Sequence, residues 1–246
     1  MTKFFTSTFS IINLYRKNSV KSEIVTQLIY GESFSIIKRF RGWLKIKIKE
    51  DGYTGYIKDK KFESYIKPSH KIKILKAKIY KSYNTKKKTY TLSFGSKIRI
   101  TDKKLNFLRF KKGWIKKENV KSISFKEKNP FSKIGIFKNI KYKWGGKSFK
   151  GIDCSALIQI FLNFNMKYCP RDAKDQVKYF TNNIKLNKIK KNDIIYWKGH
   201  VALALNKKKL IHAYGPMKKT VIMNIKQTIE RINKTANLKV ISIKRL

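Results

Sequence analysis

Residues 151–164 read GIDCSALIQIFLNF, and the fold turns on how that stretch is taken. From Cys154 to Phe164 the run is apolar nearly all round, which describes a buried helix. Asp153 stands where an N-cap stands, and Trp144-Gly145-Gly146 with Gly151 make a flexible approach, so Cys154 falls in the helix's first turn. Working downstream, Asp172 to Phe180, preceded by Pro170, is a second helix candidate. Short β-branched and aromatic runs then mark strands at Asp193–Trp197, His200–Leu205, Leu210–Tyr214, Thr220–Asn224 and Leu238–Ile243. A helix packed on an antiparallel sheet makes an α+β domain, expected here over residues 126–246.

Upstream the character changes at a polar linker, Ser124 to Pro130. Before it come short alternating runs such as ESFSIIK (32–38), WLKIKI (43–48) and KIRIT (97–101), spaced as in small antiparallel barrels. An internal repeat divides them. Gly31 opens a strand twelve residues before Trp43, and Gly95 opens one twelve residues before Phe107. Each copy continues to a Gly-aromatic-Ile-Lys step, at Gly55–Lys58 and at Gly113–Lys116. Two tandem barrels, residues 1–67 and 68–125, account for this, joined near Pro68-Ser69-His70.

Lys and Arg number 60 against 14 Asp and Glu, a formal net charge of +46. The basic residues are spread along the chain beside abundant Ile and Asn, without the clustering of a nucleic-acid module. The expectation is an evenly solvated basic surface with no specific nucleic-acid partner, able to attract anions non-specifically. Hydrophobic residues make up 41% and aromatics 13%, enough for real cores. No apolar run approaches a membrane span, the start does not read as a secretory signal, and two cysteines make no disulfide framework. A cytoplasmic protein off the membrane is the expectation.

A cysteine in the first turn of a helix meets unpaired N–H groups and the positive end of the dipole, which favour a thiolate. The expectation is therefore a lowered thiol pKa and a nucleophilic Cys154; a buried, inert cysteine is the alternative. A nucleophilic thiol needs an imidazole. His70 lies in the linker, which leaves His200, opening HVALAL, and His212, in LIHAYG. If these runs form a hairpin with a loop of three or five residues, His212 pairs across from Ala202 and shares a sheet face with His200. His212 then orients the His200 ring, as a triad's third member does. The same face would carry Ala202 and Ala204, small enough to admit the Cys154 helix. A loop of two or four residues turns the histidines to opposite faces. Cys154, His200 and His212 would also make the three protein ligands of an open zinc site, an alternative weakened because none has a close-spaced partner.

Tyr142-Lys143-Trp144-Gly145-Gly146 followed by Gly151-Ile152-Asp153-Cys154-Ser155-Ala156-Leu157 resembles the nucleophile motif of the NlpC/P60 cysteine peptidases. Pro170-Arg171-Asp172-Ala173 with Gln176, then Asn192-Asp193-Ile194-Ile195, Gly199-His200-Val201-Ala202 and Ile211-His212-Ala213, are similar to that family's later segments and follow in its order. The barrels resemble bacterial SH3-like domains, and their order before the peptidase resembles that of dipeptidyl-peptidase-VI-like members. The resemblance implies an α+β protein in which two small N-terminal SH3-like barrels precede a papain-like cysteine peptidase domain. It implies no metal or other cofactor. The implied substrate is a murein-derived peptide cut between γ-D-glutamate and diaminopimelate or lysine, with a free N-terminal L-Ala, in cell-wall peptide recycling. Cys154 is then the nucleophile, His200 the base and His212 its orienting partner, and Tyr142, Asp153 and Ser155 line the cleft. A Glu and a Tyr of the first barrel grip the ligand's ammonium, with Glu32 and Tyr53 as the candidates. Ala173 replaces a serine of some relatives and removes one substrate hydrogen bond. The rival readings are a non-catalytic binder of wall fragments with a degenerate peptidase domain, and an anion-binding protein.

Overall fold

The computed structural model describes residues 2–246, and sheet dominates it. Seven strands between Phe4 and Ser64 form one antiparallel sheet around Leu14, Leu28, Phe34, Leu44, Ile46 and Ile57. The alternation in WLKIKI is the reason: Leu44, Ile46 and Ile48 point inward while Lys45 and Lys47 reach outward. A five-stranded and a three-stranded sheet between His70 and Ser122 enclose a second core that includes Ile72, Ile79, Leu92 and Ile115.

The repeat is realised in backbone terms. Trp43–Ile48 and Phe107–Phe110 are equivalent strands, each paired to the strand of its Gly-aromatic-Ile-Lys step. Gly31 and Gly95 occupy the same turn in the two copies, at φ +82° and +79°, a left-handed conformation open to glycine at little cost. Any side chain at Gly31 would also collide with the backbone of Lys97, because the two barrels meet there. His70, expected in the linker, lies on the His70–Ile72 strand of the second core.

The remaining sheet runs in the order Lys219–Asn224, Lys209–Tyr214, His200–Ala204, Ile194–Trp197, Val240–Lys244, antiparallel throughout. Helix α1 (Cys154–Phe164) packs on one face. Ten of its eleven residues are buried, and the second barrel explains why so apolar a helix is tolerated. Phe94 stacks on Phe161 and Phe164 with ring centroids 4.7 Å apart, while Val201, Leu203, Ile211 and Ala213 cover it from the sheet. Helix α2 (Ala173–Tyr179) follows.

Two expectations need correction. Ala202 and Ala204 do not face α1. They join Leu210 and Tyr214 on the opposite face, under helix α3 (Ile225–Ala236), and Val201 and Leu203 meet α1 instead. Helix α3 itself was not expected. Its signal was present: Asn224 caps it by accepting from the Gln227 N–H, and Ile225, Ile229 and Ile232 recur at helical spacing. Asn237, left-handed at φ 52°, ends it, so the last strand begins at Val240 rather than Leu238. No helix of the described residues is long and apolar enough to cross a membrane.

Candidate active site

Cys154 opens α1, and Asp153 is its N-cap, accepting from the Ala156 N–H at 2.8 Å. The cap is itself clamped. Arg171 donates from Nη2 to Asp153 Oδ2 at 2.6 Å and from Nη1 to Asp153 Oδ1 at 3.1 Å and to Ser155 Oγ at 3.0 Å. Its Nε donates to Thr26 Oγ1 of the first barrel at 2.7 Å. Gln176 donates to the carbonyls of Ser155 and Pro170, so α2 and α1 share a fixed turn.

The histidines come together in the favourable register. Leu203 pairs with Ile211 and Ala204 with Leu210, and the Leu205 N–H donates to the Lys209 carbonyl, closing a three-residue loop. His200 and His212 consequently share a face, and His200 Nε2 lies 2.8 Å from His212 Nδ1. Two nitrogens bound tetrahedrally to one zinc ion at about 2.1 Å would stand about 3.4 Å apart. The pair is thus set for a hydrogen bond, and among the described residues no three His, Cys, Asp or Glu are grouped to hold an ion.

A thioether fixes the direction of that bond. His212 Nε2 lies 3.4 Å from Met223 Sδ, and the sulfur can only accept. The His212 proton therefore sits on Nε2, its Nδ1 accepts from His200 Nε2–H, and His200 Nδ1 keeps a free lone pair to act as a base. Tyr214 stacks on His212 at 4.6 Å and holds the ring. The Val201 backbone N–H, one residue beyond His200, and that of Ser155 act to lower the Cys154 pKa. Tyr142 stands close enough for the Cys154 charge to help, after burial, to raise its phenol pKa.

The thiol differs from expectation. Burial pushes Cys154 up to about 12, and the neighbouring Asp153 carboxylate adds to the effect. The N–H donors and Arg171 work the other way and are outweighed. The same burial lowers His200 to about 4, and burial with its neighbour lowers His212 to about 3. At neutral pH the site therefore rests as a neutral thiol and neutral imidazoles.

A pH prediction follows. Below about 6.5 the unfolded chain binds protons at both histidines that the folded chain refuses, so stability is complete above that pH and falls as the pH drops toward 4. Thermal melts at pH 7.5 and 5.0 should show a loss of about 1–2 kcal/mol per histidine. His212→Gln should remove its share, and identical pH slopes for the parent and this variant would contradict the buried-neutral assignment.

Arg16, Glu23, Tyr53, Trp144 and Asp172 line the cleft of about 230 Å3 that holds Asp153, Cys154 and Ser155. Glu32 is not there. It is 5% exposed and its Oε1 accepts from Lys147 Nζ at 2.7 Å, away from the thiol, which corrects its assignment to the ammonium. The first-barrel carboxylate that reaches the cleft is Glu23, missed in the sequence. Glu23 accepts from Trp144 Nε1 at 2.6 Å and from Arg16 Nε at 2.5 Å, and these contacts, Arg16 foremost, lower its pKa. Tyr53 donates to Asp172 Oδ2 at 3.1 Å, placing a second carboxylate beside it.

Residues 139–236 match the NlpC/P60 family, and residues 14–62 match the bacterial dipeptidyl-peptidase Sh3 domain. The chain is 26% identical over 231 residues to dipeptidyl-peptidase 6 of Lysinibacillus sphaericus, covering 82% of this chain and 84% of that protein. It is 24% identical over 231 residues to gamma-D-glutamyl-L-lysine dipeptidyl-peptidase of Bacillus subtilis, with coverages of 84% and 77%. A solved NlpC/P60 family protein from Bacillus cereus superposes with a TM-score of 0.82 over 98% of this chain and 99% of its own, at 16% identity, a likeness of fold.

Proposed function

We propose that this chain, in which an NlpC/P60 domain follows a bacterial dipeptidyl-peptidase SH3 domain, is a cysteine peptidase that releases the diamino acid from murein-derived peptides. The scissile bond is that between γ-D-glutamate and diaminopimelate or lysine, in a peptide with a free N-terminal L-Ala. The observation that carries the reading is the His200–His212 hydrogen bond, on a strand whose next N–H lowers the pKa of Cys154 at the start of α1. The name of the Bacillus subtilis relative supports the same bond class, and that of the Lysinibacillus sphaericus relative supports a dipeptidyl-peptidase. Two buried, unpaired cysteines suit a reducing cytoplasm and a recycling role.

In the proposed reaction the substrate carbonyl sits over the first turn of α1. Cys154 gives its proton to His200 Nδ1 as the sulfur attacks, and the N–H groups of that turn, with the Tyr142 hydroxyl, receive the oxyanion. The intermediate collapses to a thioester as His200 protonates the departing amine. Water then gives a proton to His200, attacks the thioester and returns the thiol. His212, accepting from His200 Nε2–H, keeps Nδ1 as the nitrogen that takes up and returns each proton. Glu23, with Asp172 behind Tyr53, offers negative charge to the peptide's ammonium at the barrel side of the cleft.

The test is incubation of the protein with L-Ala-γ-D-Glu-diaminopimelate, its lysine counterpart and N-acetylated copies, followed by mass spectrometry. Release of the diamino acid from the free peptides, with only slow release from the acetylated copies, supports the reading, and cleavage of neither favours a non-catalytic binder of wall fragments. Glu23→Gln should lower kcat/KM for the free peptide by about 10- to 100-fold, the value of one charged hydrogen bond, while leaving the acetylated peptide unchanged. Equal loss on both peptides would remove Glu23 from amine recognition.

A further inference from the structure

The proposed substrate carries a charge that Cys154, Glu23 and Asp172 do not answer. A glutamate joined through its γ-carbonyl keeps its α-carboxylate, which stands about 5 Å from the scissile carbonyl carbon when the chain is extended. Along the peptide this charge lies between the N-terminal ammonium and the bond that is cut. A cleft that takes the ammonium at Glu23 and Asp172 and the carbonyl at Cys154 therefore meets the carboxylate between them.

The first turn of α2 supplies that intermediate ground. Its N-cap, Asp172, turns its side chain to Tyr53, while Gln176, one turn on, donates to the Ser155 carbonyl beside the thiol. Ala173 and Lys174 line the cleft between these two anchors, and Ala173 has no polar side-chain atom to offer. Three cations line this cleft. Arg171 is buried, with its guanidinium turned to Asp153, Ser155 and Thr26. Arg16 is held through Nε by Glu23 at 2.5 Å, at the barrel side. Lys174 is exposed and, among the described residues, has no hydrogen bond or ion pair, so engaging it breaks no contact. Burial raises the Asp172 pKa and the Lys174 charge is among those that oppose it, which puts this ammonium within electrostatic reach of the amine end.

We propose that Lys174 is a specificity-determining residue, whose ammonium receives the α-carboxylate of the γ-linked glutamate and makes the protein prefer the free acid to the α-amide. This rests on the substrate proposed above. The negative charge is what Lys174 reads: its ammonium only donates, and an α-amide offers it a neutral carbonyl oxygen where the acid offers an anionic one. The α-carboxylate keeps its charge while the γ-carbonyl reacts, so Lys174 holds ground state and transition state alike. Its loss should therefore appear in KM more than in kcat.

The test compares L-Ala-γ-D-Glu-L-Lys with its α-amide, L-Ala-γ-D-isoGln-L-Lys. Full-length parent should cleave the acid with kcat/KM about tenfold or more above that for the amide. Lys174→Met should bring the two peptides to within about threefold of one another, chiefly by raising KM for the acid. Lys174→Arg, which keeps the charge, should restore part of the preference. Equal cleavage of both peptides by the parent would overturn the proposal, as would an acid preference left intact in Lys174→Met. Binding separates this result from the peptidase reading. Calorimetric titration of Cys154→Ala with the dipeptide L-Ala-γ-D-Glu and with its α-amide should show the same preference, lost when Lys174→Met is added. That outcome upholds Lys174 even where the parent cuts neither tripeptide and the peptidase reading falls. Acid and amide dipeptides that bind equally, or that both fail to bind, would remove Lys174 from the site.

Discussion

Cys154→Ala is expected to lower kcat by about 10⁴-fold or more and to leave the fold standing. The two halves of that result rest on different observations. Activity goes because the other cysteine cannot substitute: Cys169 is fully buried, donates to the Pro170 carbonyl and is absent from the cleft. Stability stays because Cys154 is a neutral thiol at working pH, so its loss strands no charge, and the Asp153 cap is untouched. A small buried cavity should cost about 1 kcal/mol. Cys154→Ser should be as inactive, its hydroxyl being a far weaker acid for the same base. His200→Ala should lie near Cys154→Ala, while His212→Ala, which acts through His200, should cost less. Progress curves on the free tripeptide and a thermal melt of each variant decide it. Turnover within tenfold of the parent in Cys154→Ala would end the nucleophile assignment, and a reversed order of the histidines would exchange their roles.

What the sequence carried, it carried locally. Asp153 before an apolar run marks a helix start because the cap interaction spans three residues, and the structure has that hydrogen bond. Hairpin parity is local too: the loop length decides whether His200 and His212 share a face, and three residues bring them to 2.8 Å. The repeat was legible because two glycines in the same turn need the same left-handed backbone.

The failures are all non-local. Glu23 and Glu32 are both acids of the first barrel nine residues apart, and which one faces the thiol depends on Trp144 and Lys147, more than a hundred residues away. The thiol was expected to be acidic from its helix position alone. Its burial comes instead from the sheet, the loops and the first barrel, none adjacent in sequence, and it outweighs the helix-end donors. Ala202 and Ala204 were assigned to the wrong face because small size fits a close helix approach on either side, and the unnoticed α3 covers theirs.

Arg171→Met should give the largest loss of stability of any single change proposed, about 3–5 kcal/mol, or a fall in Tm of about 6–20 °C. Arg171 is 3% exposed and all four of its hydrogen bonds go to protein groups: two to Asp153, one to Ser155 and one to Thr26. Methionine matches the side chain's length but leaves the Asp153 carboxylate, 6% exposed, with only the Ala156 N–H and the Ser155 hydroxyl as donors. Most of the penalty is therefore the stranded charge rather than the lost attraction. That distinction is measurable. Adding Asp153→Asn to Arg171→Met removes the stranded charge while keeping an N-cap acceptor, so the double variant should be more stable than Arg171→Met alone. The Thr26 bond has a separate consequence, because it ties the turn before α2 to the first barrel. Arg171→Lys, which keeps the charge but not the fork, should recover part of the stability and little of the alignment, so kcat/KM should remain depressed where Tm is restored. Denaturant melts of the four proteins, with activity measured alongside, test this in one series. Arg171→Met within 1 kcal/mol of the parent, or a double variant less stable than the single, would show that the guanidinium is not what holds α1 to the first barrel.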